Sequence, residues 1–207
     1  MMCLRYVLVV AGALAYTVPA MAQTVIVEWD SVKAPPAPAL KPVAVDAKTT
    51  ALLIFDMTNQ FCGPRYAHCP EMVPTLKKML TEARTKNVLV VYTSIPSVAK
   101  TEVVKAIEPS AADLFFQSFL DKFLNTDLEK TLKDKGISTL IMTGLAANGA
   151  VLYTASEAAQ KGFNVVVPVD GITAMTRYAE QFTVWQLGNA PVISPKISLT
   201  KSDMVKF

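Results

Sequence analysis

Two stretches of this chain hold residues whose type and placement could do chemistry. The first ends at Asp56, which closes the uninterrupted apolar run Ala51 to Phe55. A carboxylate at the end of a buried run is not solvated as a surface aspartate is, and it persists there with hydrogen-bond donors or with a task. Its residue type fits a general base, and it fits equally a cap on the turn through Thr58 and Asn59. The second stretch is Gly144-Leu145-Ala146-Ala147-Asn148-Gly149-Ala150, between an apolar run and a run of helical spacing. Small side chains let another group approach the backbone. Amides at a helix start have no partner within the helix and can donate to an anion or to a developing oxyanion. Close packing of a helix on a sheet would use the same small residues. Thr93 and Ser94 end another apolar run, where their hydroxyls could line a pocket or close a turn.

Other chemistries lack the necessary side chains. His68 is the single histidine, so a histidine metal cluster has no material and a Ser-His-Asp triad has one candidate base and no elbow motif. No metal and no cofactor are expected. Lys and Arg number 20 against 17 Asp and Glu, and the two signs are interleaved, which leaves no nucleic-acid footprint. A small-molecule ligand or substrate is the expected partner.

Arg5, the apolar run Val7 to Val18 and Ala20-Met21-Ala22 have the form of an export signal over residues 1–22, so the mature chain is expected in a periplasm or outside the cell. The apolar run is shorter than the ~20 residues of a membrane span, and no stable membrane anchor is expected. Cys3 leaves with the signal. Cys62 and Cys69, around Gly63, Pro64 and Pro70, then read as a loop-closing disulfide of an oxidising compartment.

The elements that must position these groups follow from the hydrophobic pattern. At 207 residues and 52% hydrophobic, the chain can build one sizeable core. Residues 23–42 form a lead-in, with Thr24 to Trp29 alternating like a strand and four prolines from Lys33 to Pro42; the domain proper spans 43–207. Apolar runs at 51–55, 88–93, 113–119, 139–143, 164–169 and 191–193 read as strands. Helical spacing covers 71–86, 126–135 (ending at Gly136), 148–161 (ending at Gly162) and 174–187. Strands apolar on both faces and separated by helices predict an α/β fold, a three-layer α/β/α sandwich on a mostly parallel sheet. Tyr178 and Trp185, seven apart on the last helix, read as core or subunit contacts.

Three segments in order resemble the isochorismatase-like (cysteine hydrolase) family. Ala51-Leu-Leu-Ile-Phe-Asp56-Met-Thr-Asn59-Gln-Phe61 is similar to its opening strand, Phe123-Leu-Asn-Thr126-Asp-Leu128 to its Phe-x-x-Thr-x-Leu signature, and Ile141 to Ala155, with Ala158, Gly162 and Asp170, to its nucleophile segment. The resemblance covers residues 45–195. It implies a Rossmann-like sandwich, a homo-oligomer and a triad in which an Asp acts as base, a Lys holds that Asp and the substrate, and a Cys attacks a carbonyl to form a thioester. Asp56 matches the Asp. The Lys position, six residues before Phe123, is Gln117, and the Cys position is Ala150. Lys122 is a candidate stand-in for that Lys, but it directly precedes Phe123 and on a strand would point elsewhere. The resemblance further implies oxyanion donors at the amides of Ala146 and Ala150, with a non-proline cis peptide before Ala146; Asn59, Phe61 and Ser94 are the expected pocket residues around Asp56.

The expectation is a pseudoenzyme candidate that keeps the base and the backbone cradle and has lost nucleophile and cation. Its function would be small-molecule binding around Asp56 without turnover. Alternatives are hydrolysis of an amide, C–N or ester bond by water activated at Asp56, and a structural or interaction module.

Overall fold

Thr50–Phe55 (β2) is buried along its whole length, with Ala51, Leu53 and Phe55 on one side and Leu52 and Ile54 on the other. Alternate side chains of a strand point to opposite faces, so a strand apolar at every position needs cover on both. The computed structural model, which describes residues 24–207, supplies that cover with two separate cores. The helix Cys69–Thr85 (α1) closes one face through Met72, Leu76, Met79, Leu80 and Ala83. Leu128–Asp134 (α2), Leu152–Gln160 (α3) and Arg177–Asn189 (α4) close the other. The fold is the expected α/β/α sandwich.

The sheet contains β2, Leu89–Ser94 (β3), Leu114–Gln117 (β4), Thr139–Gly144 (β5), Asn164–Pro168 (β6) and Ile197–Thr200 (β7). They lie in the order β4-β3-β2-β5-β6-β7, all parallel. The chain builds outward from β2 in one direction, then returns beside it with β5 and builds outward in the other. The carboxyl ends of β2 and β5 therefore flank the point where the winding reverses, the place where open α/β sheets leave a crevice for ligands. A separate two-stranded pairing joins Val43–Ala44 (β1) to Val205–Lys206 (β8) near the ends of this unit.

The register of β2 on β5 sets Phe55 opposite Gly144. Gly144 has φ of +106°, and a Cβ there would lie 2.3 Å from the Phe55 carbonyl oxygen. No side chain fits. Gly144→Ala is expected to cost at least about 3 kcal/mol in chemical denaturation, because left-handed backbone and a backbone clash add. A loss below 1 kcal/mol would mean that β2 and β5 separate more readily than their pairing indicates.

Several elements depart from expectation. Residues 25–31 form successive exposed turns rather than a strand, with Val27 N–H donating to Thr24 O and Ser31 N–H to Glu28 O. Alternation alone does not make a strand without a partner to fill its backbone bonds. The final sheet strand is 197–200, whereas 191–193 is a turn with Val192 exposed at φ of +71°. The stretch 148–161 opens not as an α-helix but as a wider turn, Ala147–Val151, in which Val151 N–H reaches back to Ala146 O. Tyr178 and Trp185 are 72% and 42% exposed, so neither is core.

The chain divides into 1–35 and 36–207; only 24–35 of the first unit are described, and the expected export signal at 1–22 lies outside the described residues. Among the described residues no helix is long and apolar enough to cross a membrane.

Candidate active site

Asp56 follows β2 at φ of +52°, a left-handed conformation that asparagine and aspartate tolerate better than most side chains. Its N–H donates to Thr93 O at the end of β3, and its carbonyl accepts the N–H of Thr58. Backbone bonds on both sides thus fix the carboxylate at the carboxyl end of β2. The residue is 8% exposed, and the Thr93 hydroxyl lies 3.4 Å from Oδ1.

The cation on Asp56 is Lys122. Its Nζ stands 2.9 Å from both carboxylate oxygens and also donates to the carbonyls of Ser118 (3.0 Å) and Phe119 (2.7 Å). The side chain is fully buried. Gln117, the residue expected to mark a lost cation, ends β4 and turns away, donating from Nε2 to the carbonyls of Val98 (2.9 Å) and Pro96 (3.2 Å). The expectation fails because the strand stops at Gln117. Ser118 breaks it by donating its hydroxyl to the carbonyls of Asp121 and Leu124, and the looped chain aims Lys122 inward. Two long-range contacts lock the loop: Lys122 N–H donates to Thr154 Oγ1 on α3 (3.1 Å), and Phe123 stacks on Phe163 at 6.0 Å. Lys122 is the one basic residue between Asp113 and Asp127. A buried carboxylate's need for a cation is the signal that points to it.

Burial pushes the Asp56 carboxyl up to about 6, against the opposing pull of the Lys122 charge. Burial likewise pushes the Lys122 ammonium down, with Asp56 opposing. Each group is held in its charged form chiefly by the other.

Beside this pair, the segment after β5 makes the backbone cradle. The Leu145–Ala146 peptide is cis, Ala147 N–H donates to Thr173 O, and Gly149 N–H donates to Ala146 O. The Ala146 N–H makes no hydrogen bond to another described residue, and the Ala150 N–H makes none outside the 147–151 turn. Ala150 itself is buried. The arrangement holds a carboxylate with a built-in counter-cation and, at position 150, only a methyl group.

The other residues expected at the site divide. Phe61 is buried in the α1-side core, edge-on to Tyr66 at 6.4 Å. Asn59 is exposed and supplies only its N–H, to Glu102 O. Ser94 spends its hydroxyl on Val98 O (2.6 Å), so the hydroxyl that meets Asp56 is that of Thr93. Cys62 and Cys69 are disulfide-bonded, closing the loop that carries Tyr66. Burial raises the Tyr66 hydroxyl, with the Arg65 charge lowering it and the Asp56 charge adding to the rise. Replacing both cysteines by serine is expected to cost about 2 to 3 kcal/mol, the loop-closure entropy of so short a ring, measured by denaturation. An unchanged midpoint would show the loop to be held by packing alone. His68 sits at the α1 N-terminus, 3.6 Å from Glu71. Among the described residues no three His, Cys, Asp or Glu side chains gather as a metal site.

A family model described as the isochorismatase domain matches residues 50–195. The chain belongs to the isochorismatase family. Over 160 residues it is 26% identical to the isochorismatase family protein YaaI of Bacillus subtilis (strain 168), covering 67% of this chain and 88% of that one. It is also 26% identical over 171 residues to an N-carbamoylsarcosine amidase of Arthrobacter sp, spanning 67% of this chain but 65% of the amidase. The crystal structure of an isochorismatase family protein from Desulfovibrio vulgaris subsp. vulgaris str. Hildenborough superposes with a TM-score of 0.68 at 20% identity, covering 75% of this chain and 95% of that one. At that identity the likeness speaks for the fold. The Asp56–Lys122 pair and the cradle thus lie inside the matched isochorismatase domain, and so does Ala150.

Proposed function

We propose that this isochorismatase-family chain binds a small carbonyl compound, a primary amide or a carbamoyl derivative, at Asp56–Lys122 and the Ala146 and Ala150 amides, and that no thioester forms. The observation that supports the reading is the Asp56–Lys122 pair at the end of β2, next to a strand whose following segment carries alanine at position 150. Carbonyl oxygen accepts from backbone N–H, and an amide N–H can donate to the Asp56 carboxylate, so a neutral amide satisfies both sides of the site. The relative's name, N-carbamoylsarcosine amidase, agrees in chemical class. We also assign this binding to an exported chain, a reading supported by the Cys62–Cys69 disulfide, since such bonds persist in oxidising compartments.

Calorimetry and thermal-shift measurements with acetamide, benzamide, N-carbamoylglycine and the matching carboxylic acids test the reading. Binding of at least one amide, lost in Asp56→Asn, is the expected result. Absence of any binding at millimolar concentration would refute it.

A second reading, hydrolysis by water activated at Asp56, is favoured by the carboxyl's rise to about 6, which brings a base close to neutral pH. The ionised form is the active one. Turnover is then expected to fall as the pH drops through about 6 and to level off above it; a rate independent of pH from about 5 to 8 would discard this route.

A further inference from the structure

Glu180 lies in the first turn of α4, away from the charge pair, yet its hydrogen bonds lead back to the cradle. Its Oε1 accepts from the Thr173 hydroxyl (2.7 Å) and from Ala174 N–H (3.1 Å), and its Oε2 accepts from Arg177 (2.8 Å). Its side chain is only 15% exposed. Thr173 carries the connection onward through its backbone. Its N–H donates to Gly144 O at 3.2 Å, and its carbonyl accepts Ala147 N–H at 2.8 Å. Gly144 and Ala147 bracket Leu145–Ala146, so one threonine grips the cradle on both sides.

The segment from Ile172 to Met175 belongs to no helix or strand, apart from a single bridge from Ile172 to Gly144. A segment without regular bonding holds a fixed geometry only where side chains supply it. Burial pushes the Glu180 carboxyl up, but the hydrogen bonds from Arg177, Thr173 and Ala174 outweigh it and hold the group below the usual carboxylate range. It therefore accepts these bonds as an anion, the stronger and more directional form.

We infer that Glu180 is a positioning residue: by fixing Thr173 it sets Gly144 and Ala147, and through them aims the Ala146 and Ala150 amides. The inference rests on the cradle having the carbonyl-binding role proposed above. Oxyanion-type donors act only when held at hydrogen-bond distance from the oxygen they serve, and misplacement of about 1 Å can cost on the order of 100-fold.

The test compares Glu180→Ala, Glu180→Gln and the parent protein by amide ¹H–¹⁵N spectra and by calorimetry with acetamide, benzamide and N-carbamoylglycine. Glu180→Ala is expected to move the resonances of Ala146, Ala147 and Ala150, leave those of β3 in place, and weaken amide binding by about tenfold or more. Glu180→Gln, which keeps an acceptor oxygen for Thr173 and Ala174, is expected to restore the resonances and most of the binding. A Glu180→Ala protein with a lower melting temperature but unmoved Ala146, Ala147 and Ala150 resonances would overturn the inference. So would a glutamine variant indistinguishable from the alanine one. If the resonances move as expected while the parent binds none of the three amides, the positioning role stands and the ligand reading falls.

Discussion

Lys122→Met will lower the stability of this protein at pH 7 by about 3 to 5 kcal/mol, the cost of leaving one member of a buried ion pair without its partner. The ammonium is fully buried and Asp56 nearly so, and without Lys122 the carboxylate keeps only the distant Thr93 hydroxyl. The variant's deficit will depend on pH with a definite sign. A carboxyl whose folded-state pKa lies above its unfolded value favours the folded state when protonated. Asp56 is already raised to about 6 in the parent and goes higher without Lys122, so the deficit shrinks as the pH falls from 7 towards about 6, changes little below that, where the carboxyl is protonated in both proteins, and grows as the pH rises. The double variant Asp56→Leu with Lys122→Met removes both charges, and much of the lost stability will return, since an apolar pair of similar volume is often as stable as the buried ion pair it replaces. Denaturant titrations of the three proteins at pH 5 and 7 measure all of this. A single-variant loss below about 1 kcal/mol at pH 7 would show that water reaches the pair.

Ala150→Cys will convert the site into a thiol enzyme. The resemblance calls for Asp, Lys and Cys together, and two of the three already stand in place, since Lys122 rather than residue 117 holds Asp56. One substitution is therefore enough. With Asp56 to accept its proton and the main-chain amides at the start of α3 to favour the thiolate, the new thiol will alkylate with iodoacetamide near pH 7 faster than an ordinary thiol. The two other described cysteines are tied in a disulfide, which keeps the assay clean. Amide turnover will rise on the order of 10⁴-fold over the parent, the scale on which removing a nucleophile abolishes catalysis. An acyl adduct at position 150 will be visible by mass spectrometry. Adding Asp56→Asn will erase both effects. An ordinary alkylation rate with no acyl adduct would mean that the cradle does not present position 150 to a bound carbonyl.

Both predictions turn on features that differ in how visible they are along the chain. Asp56 stands out because a carboxylate after five apolar residues conflicts with its surroundings, and such conflicts gather at functional sites. The cradle stands out because Gly144 to Ala150 packs small residues where a strand turns into a helix. Gly144 is required by the close approach of Phe55, a contact set by the register of β2 on β5. The inward aim of Lys122 is hidden for the opposite reason. Nothing within a few residues announces that the strand stops at Gln117. The stop is made by Ser118 bonding Asp121 and Leu124, and the inward aim by Thr154 and Phe163, each far along the chain. Ser94 misleads in the same way, its hydroxyl being taken by a carbonyl four residues on, while Thr93 faces Asp56.

The α/β class, the buried strands, the family segments, the disulfide-forming cysteines and the carboxylate at the end of β2 are all legible in the chain alone. Each is written in local pattern: period, apolar runs, spacing and residue type. Which cation meets Asp56, how the 147–151 turn opens, and how Thr173 and Glu180 brace it emerge only once the chain is folded. Those features depend on where irregular segments are pulled by partners distant in the chain, and side-chain direction in such segments follows packing, not period.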